Sequence, residues 1–122
     1  MSSDKMILII DDDSRNIFAL SAVLKAKGYQ VVSALSAMEG ITRLKSNKNI
    51  AVVLLDIMMP DMDGYQAIAA IRSSDAIART PIIAVTAQAM VGDREKSLNA
   101  GANEYISKPI DVDILLNLLA KY

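Results

Sequence analysis

The chain alternates aliphatic runs with amphipathic stretches five times, and this pattern predicts its fold. The clearest runs, Met6–Ile10 and Ala51–Leu55, are almost without polar positions, as is typical of strands buried on both faces of a parallel sheet. Strands that alternate with helices predict right-handed crossovers and helices on both faces. We therefore expect an α/β fold with a five-stranded parallel sheet and five helices. The predicted strands are Met6–Ile10, Tyr29–Ser33, Ala51–Leu55, Pro81–Val85 and Asn103–Ser107.

Capping residues and glycines predict where the helices begin and end. We expect Ser14 to cap the first helix, Ser36 to open the second and Asp111 to cap the fifth. Gly28 is expected to end the first helix, and Gly101 is expected to lie just after the last residue of the fourth helix, a position where glycine is common.

The helix interiors are less regular. Tyr65, Ile68 and Ile71 mark the third helix at helical spacing. Gly40 falls inside the second helix, where glycine costs about 1 kcal/mol relative to alanine. The fourth helix has a weak apolar stripe and is expected to contain Gly92.

Composition narrows the classes of function. With 122 residues, 52% of them hydrophobic, the chain predicts one domain over residues 1–122 with no output domain. A net charge of −1 argues against a nucleic-acid or membrane partner. The absence of cysteine and histidine excludes disulfides, thiol catalysis and histidine-based metal or acyl-transfer sites. Because no signal peptide or long apolar run is visible, we expect a soluble, cytoplasmic protein.

Acidic residues follow two of the predicted strands. Asp56 ends the third strand, and Asp11, Asp12 and Asp13 follow the first. In a sheet of order 2-1-3-4-5 these strands meet at the switch point, where ligands bind beyond the carboxyl ends. Like charges so close together favour a cation, and carboxylate oxygens without softer ligands favour Mg²⁺, with Mn²⁺ as an alternative. In the same order, Thr86 and Lys108 would lie on the same rim.

Four motifs, taken together and in order, resemble the receiver domain of two-component response regulators. They are Ile10–Asp13, Leu55–Gly64, Val85–Ala87 and Tyr105–Pro109. The resemblance covers nearly the whole chain and is closest to the single-domain, chemotaxis-regulator-like form. It implies the strand order 2-1-3-4-5 and a flavodoxin-like fold.

The resemblance also implies roles for individual residues. Asp56 would be the phosphoacceptor, and Asp11, Asp12, Asp56 and the backbone carbonyl of Met58 would hold the metal. Thr86 would bind the phosphoryl group, and Lys108 would pair first with the acids and then with the phosphate. Thr86 and Tyr105 would form the conformational switch.

Simpler interpretations apply to several neighbouring residues. Asp13 is expected to be a solvated or helix-capping acid rather than a ligand. Asp61 and Asp63 are typical of turns and caps. Tyr105 taken alone would be a half-buried packing residue. The methionines at 58, 59, 62 and 90 indicate adaptable packing.

Three rival functions fit less well. A haloacid dehalogenase-like phosphatase also uses an aspartate after a buried strand; Asp11 and Asp13 fit its motif, but Arg15 does not. A nucleotide-binding domain needs a glycine-rich loop where this chain has three acids. A receiver-shaped module that works without phosphate would not need all the acids together with Thr86 and Lys108.

The expected partners are proteins. A sensor histidine kinase or a histidine phosphotransfer protein would supply the phosphoryl group, docking near Arg15, Phe18 and Pro109. A downstream protein would recognise the phosphorylated form, and the chain would catalyse only its own phosphorylation and dephosphorylation. Apolar residues spread around the last helix leave area for a partner or a homodimer: Ile114, Leu115, Leu116, Leu118 and Leu119.

Overall fold

A computed structural model describes residues 5–59, 64–86 and 92–122, apart from the side chain of Asp93. The strands are β1 Met6–Ile10, β2 Gln30–Ala34, β3 Ile50–Asp56, β4 Ile82–Thr86 and β5 Glu104–Ser107. The helices are α1 Ser14–Ala26, α2 Ala37–Ser46, α3 Gly64–Arg72, α4 Asp93–Ala100 and α5 Val112–Leu119. None of the helices in these ranges is long and apolar enough to cross a membrane.

The strands form one parallel sheet in the order β2-β1-β3-β4-β5. Ile10 of β1 pairs with Leu55 of β3, and Thr86 of β4 pairs with Ser107 of β5. The carboxyl ends of the strands therefore lie along one edge of the sheet. The predicted fold class and the order 2-1-3-4-5 are confirmed.

The sheet separates two aliphatic cores. In β1, Leu8 and Ile10 face the core under α2 and α3, whereas Ile7 and Ile9 face the core under α1 and α5. All four residues are at most 2% exposed, which explains why β1 has no polar alternation. Each fully buried aliphatic side chain contributes about 1.5 to 3 kcal/mol by leaving water.

Two of the predicted caps are confirmed. The Ser36 hydroxyl accepts a hydrogen bond from the Glu39 N–H at 3.1 Å, and the Glu39 carboxylate accepts one from the Leu35 N–H at 2.8 Å. Asp111 Oδ1 accepts hydrogen bonds from the N–H groups of residues 113 and 114 at 2.9 and 3.2 Å. These contacts satisfy N–H groups that have no partner within the helix.

The predicted start of the first helix at Ser14 and the expected capping role of Asp13 are confirmed, but the predicted N-cap Ser14, the placement of Gly92 and several strand ends were wrong. Ser14 is the first residue of α1, and the preceding Asp13 is the N-cap, with its Oδ1 2.9 Å from the Arg15 N–H. Either side chain can cap a helix, so composition alone did not separate them. Gly92 lies outside α4 as its N-cap, because its φ of 92° is left-handed and incompatible with a helix interior. Strand β2 lies one residue later than predicted, and β3, β4 and β5 each begin one residue away from the predicted start.

Gly40 has a packing reason to be in α2. A Cβ at this position would lie 2.3 Å from Ile10 Cδ1 and 2.6 Å from Ile10 Cγ1. The glycine thus lets α2 approach β1 closely, directly behind the strand end that leads to the acids.

Candidate functional site

Three carboxylates meet at the carboxyl edge of the sheet. Asp56 is the last residue of β3, while Asp11 and Asp12 follow β1, which is its hydrogen-bonded neighbour. One oxygen from each of the three side chains lies within 4.8 Å of the others. Asp11 and Asp56 are each 4% exposed, whereas Asp12 is exposed. The topology thus brings the three predicted acidic ligands together.

Lys108 reaches these acids from the far edge of the sheet. It follows β5, which is separated from β3 by β4, and its long side chain crosses the end of β4. Its Nζ lies 3.4 Å from Asp11 Oδ2 and 3.4 Å from Asp56 Oδ2. The Lys108 N–H also donates to the Thr86 carbonyl at 2.7 Å, and the Lys108–Pro109 peptide bond is cis.

The two buried acids are held in the same way. Asp11 Oδ1 accepts a hydrogen bond from the Asp13 N–H at 2.8 Å, and Asp56 Oδ1 accepts one from the Met58 N–H at 2.9 Å. In each acid, the second oxygen therefore faces Lys108. These backbone donors, two residues after each acid, were not identified in the sequence, although short-range bonds of this kind are common for aspartate in turns.

Burial sets the electrostatics of the site. Burial of Asp56, helped by the neighbouring Asp11, raises the pKa of its carboxyl, although the Met58 N–H and Lys108 oppose this. Burial alone would lower the pKa of Lys108, but Asp56 and Asp11 outweigh it and raise that pKa. Three carboxylates facing one ammonium leave roughly two unbalanced negative charges, which favours a divalent cation.

The remaining predicted site residues lie around this centre. Thr86, 5% exposed, is the last residue of β4 and so lies on the same rim as Asp56. Tyr105 lies within β5, partly buried and paired with Ala84. The Met58 side chain is 57% exposed, although its backbone N–H is bound to Asp56. Predictions for Asp61, Met62, Asp63 and Met90 fall outside the described residues.

A groove of about 310 Å³ opens beside the acids. It runs between α1 and the segment that connects β5 to α5, and Phe18 on α1 is 78% exposed. Periodicity alone did not predict this groove, because it depends on how α1 is placed against residues after Lys108. Its lining consists of Asp11, Asn16, Ala19, Leu20, Val23, Lys108, Pro109, Ile110 and Val112.

Curated relatives include histidine kinases and a response regulator. The chain is 38% identical over 116 residues to the signal transduction histidine-protein kinase BarA of Escherichia coli. This match covers 95% of this chain and 12% of BarA. It is 29% identical to the polar-differentiation response regulator DivK of Brucella anthropi, over 97% of this chain and 95% of DivK. The chain thus spans about an eighth of the kinase, and a single domain at residues 1–122 stays a prediction.

Solved structures and a family model agree with the fold. A response regulator receiver protein from Pseudomonas putida superimposes with a TM-score of 0.91 at 30% identity, covering 100% of both chains. A CheY-like receiver domain protein from Methanospirillum hungatei superimposes with a TM-score of 0.85 at 34% identity, covering 98% of this chain and 93% of that one. The model of the response regulator receiver domain matches residues 7–120. The resemblance found in the motifs is thereby confirmed, and the chain belongs to the response regulator receiver domains, the phosphoacceptor domains of two-component signalling.

Proposed function

We propose that Asp56 accepts the phosphoryl group and that Asp11, Asp12, Lys108 and Thr86 assist. The observation that carries this proposal is the meeting of three carboxylates within 4.8 Å of one another, with Lys108 Nζ 3.4 Å from two of them. No packing role requires so much charge at a strand end. A phosphoryl transfer site does require it, because its chemistry depends on positioning and on charge neutralisation.

The reaction would be a transfer from a phosphohistidine on a partner protein. A carboxylate oxygen of Asp56 forms a bond to phosphorus while the bond from phosphorus to the imidazole nitrogen breaks. The electron pair returns to the imidazole, which takes up a proton from water. The Met58 N–H and Lys108 hold the two oxygens of Asp56, so the carboxylate is oriented before the donor arrives.

The acids fit a divalent cation. Asp11, Asp12, Asp56 and the backbone carbonyl of Met58 would hold Mg²⁺ or Mn²⁺, both of which prefer oxygen ligands. The chain has neither histidine nor cysteine that would favour a softer metal. A bound ion would supply the positive charge that lets an anionic donor approach three carboxylates.

Lys108 and Thr86 would act on the phosphorylated form. Lys108 gives up part of its contact with Asp11 and Asp56 and donates hydrogen bonds to the phosphoryl oxygens instead. These charge-assisted hydrogen bonds are stronger than the contacts they replace. The Thr86 hydroxyl donates to the same group from the end of the neighbouring strand. Phosphorylation adds roughly 1.5 to 2 negative charges next to Thr86, and Tyr105 on β5 responds to that change.

Protein partners would bind at two places. The groove beside α1, with the exposed Phe18 and Pro109, fits a histidine kinase or phosphotransfer protein, because it lies beside Asp11 and Lys108. The kinase relatives support a donor of this kind. A downstream protein or a second copy would use the face near α5, where Ile114 is 50% exposed. In this proposal the chain turns over no other substrate.

Intact mass spectrometry tests the proposal. Incubation with acetyl phosphate and Mg²⁺ should add one phosphoryl group to the wild type and none to Asp56→Asn. The matched control is Asp75→Asn, which removes the same charge at an exposed position and should leave phosphorylation unchanged. Equal phosphorylation of Asp56→Asn would overturn the assignment, and sustained release of phosphate from varied phosphoesters would favour a phosphatase.

A further inference from the structure

A cleft of about 300 Å³ opens at the edge of the sheet opposite the acids. It lies between the C-terminal end of α2 and the segment that connects α3 to β4, and its lining comes from residues 44–50 and 76–80. We call it the amino-edge cleft. Strand β3 begins at Ile50, which lines the cleft, and ends at Asp56. At about 3.3 Å per residue these two positions are about 20 Å apart, so the cleft is separate from the phosphoacceptor site.

The base of the amino-edge cleft is aliphatic. Leu44, Ile50 and Ile77 line it, and they are only 4%, 9% and 6% exposed. All three belong to the core under α2 and α3. A ligand with an apolar body would displace water from this surface, which favours binding.

Both walls of the cleft are held in place by hydrogen bonds. Asn47 Oδ1 accepts a hydrogen bond from the Asn49 N–H at 3.0 Å, and Asn47 Nδ2 donates to Met6 Sδ at 3.1 Å. On the opposite wall, the Thr80 carbonyl accepts a hydrogen bond from Arg72 Nη1 at 2.6 Å. The cleft is therefore formed before any ligand arrives, as is usual for small-molecule sites.

Two lysines give the cleft a positive rim. Lys45 and Lys48 are both exposed and both line it, and neither forms an ion pair within the part of the chain that the structure describes. The lining contains no acidic residue among those described, and Asp75, which precedes Ala76, lies outside it. Lys45 belongs to the last turn of α2, where a cation is favourable, but Lys48 follows the helix. The two ammonium groups thus lack a carboxylate partner.

We propose that the amino-edge cleft binds a small organic carboxylate with an apolar body, such as an aromatic acid. The ring would pack against Leu44, Ile50 and Ile77, and the carboxylate would accept charge-assisted hydrogen bonds from Lys45 and Lys48. An inorganic anion has the charge but no apolar group to cover the base of the cleft. Because the cleft lies at the opposite edge of the sheet from the acids, this proposal does not depend on phosphoryl transfer.

NMR titration of the whole chain with benzoate and with benzamide tests the proposal. Benzoate should shift the amide signals of residues 44–50 and 76–80 in a saturable way, with half-saturation at about 1 mM for so small a ligand. Benzamide has the same ring without the charge and should bind at least roughly fivefold more weakly. No saturation of these shifts by roughly 20 mM benzoate, or equal binding of benzamide, would overturn the proposal.

Substitution of the two lysines tests the positive rim. Lys45→Gln and Lys48→Gln should each weaken benzoate binding roughly two- to fivefold, as is typical of exposed ion pairs, and should leave benzamide binding unchanged. The matched control is Lys27→Gln, which makes the same change in charge at an exposed position of the same sheet edge, outside the cleft. Unchanged benzoate affinity after both substitutions in the cleft, or an equal loss in Lys27→Gln, would refute the role of the rim.

The apolar base of the cleft is tested by changing the ligand and keeping the protein unaltered. Acetate and inorganic phosphate are anions that lack the ring, so each should bind at least roughly tenfold more weakly than benzoate. Equal affinity for acetate would show that the base of the cleft does not contact the ligand. Tighter binding of inorganic phosphate than of benzoate would replace the proposed carboxylate site with a simple anion site.

Discussion

Asp56→Asn should stabilise the domain at pH 7 when divalent cations are removed. The amide keeps the size of the carboxylate and can still accept the Met58 N–H hydrogen bond, which is 2.9 Å long. Lys108 keeps Asp11 as a partner at 3.4 Å, so the substitution leaves no buried ammonium without an acid. The change therefore removes one buried charge without creating another.

The charges around Asp56 set the expected size of the effect. At an effective dielectric constant of about 20, Lys108 at 3.4 Å attracts the Asp56 carboxylate by about 5 kcal/mol, and Asp11 within 4.8 Å repels it by about 3.5 kcal/mol. The exposed Asp12 adds a smaller, more screened repulsion. Because these contributions nearly cancel, the cost of burying the carboxylate decides the sign. We expect Asp56→Asn to raise the free energy of unfolding by about 1 to 2 kcal/mol, which corresponds to a rise in Tm of roughly 3 to 8 °C.

The gain should depend on pH in a defined direction. Because the folded-state pKa of Asp56 is raised, its carboxyl takes up a proton in the folded protein before it does in the unfolded chain. The cost of its charge is thus present above the folded pKa and disappears as the pH falls through it. Urea unfolding of wild type and Asp56→Asn in EDTA should show the largest difference in stability near pH 7. The two stabilities should converge as the pH falls toward 3.8, the ordinary pKa of an aspartate carboxyl.

The exposed Asp75 provides the matched control. Asp75→Asn makes the same change in charge and should alter stability by less than about 0.5 kcal/mol at either pH. A loss of stability in Asp56→Asn at pH 7, or a gain that does not vary with pH, would refute this account of the site's electrostatics.

Three further predictions concern the metal, the lysine and the packing behind the site. Asp12→Ala should leave the stability in EDTA within about 0.5 kcal/mol of wild type, because Asp12 is exposed, yet remove most of the Mg²⁺-dependent rise in Tm. A large loss of stability with unchanged Mg²⁺ affinity would contradict it. Lys108→Met should cost about 1 to 3 kcal/mol in EDTA, because two buried acids lose their cation, and Mg²⁺ should restore part of the loss in urea unfolding. An equal loss with and without Mg²⁺ would argue against it. Gly40→Ala should destabilise by about 1 to 2 kcal/mol despite better helix propensity, since the new Cβ would lie 2.3 Å from Ile10 Cδ1. Ile10→Val in the same chain should recover part of that loss, and additive effects would rule out this contact.

The sheet was predictable because its strands follow a simple physical rule. Strand β1 is buried on both faces, so its sequence is continuously aliphatic and does not alternate with polar residues. The same is true of β3 from Val52 to Leu55. Helix ends were harder to predict, since Asp13 and Ser14 are adjacent and both can cap. Gly92 was placed inside α4 because the sequence does not reveal its left-handed φ of 92°.

The candidate site was predictable where it depends on strand ends. Asp11, Asp12 and Asp56 meet because β1 and β3 are neighbours, which the motifs implied through the family's strand order. The Lys108 side chain reaches Asp56 by crossing the end of β4. The distance between Lys108 Nζ and the Asp56 carboxylate could not be predicted from the spacing of residues along the chain. The groove beside α1 and the hydrogen bonds from the Arg72 guanidinium to the Gly101 carbonyl were not predicted, because both depend on contacts between residues far apart in sequence.

Locating the phosphoryl group tests the central claim most directly. The chain would be phosphorylated with acetyl phosphate and Mg²⁺, reduced with borohydride to convert an aspartyl phosphate into homoserine, digested, and sequenced by mass spectrometry. We predict homoserine at position 56 alone, and none when EDTA replaces Mg²⁺. Homoserine at position 11 or 12, or modification of a serine or threonine with Asp56 intact, would contradict the assignment of Asp56 as the phosphoacceptor.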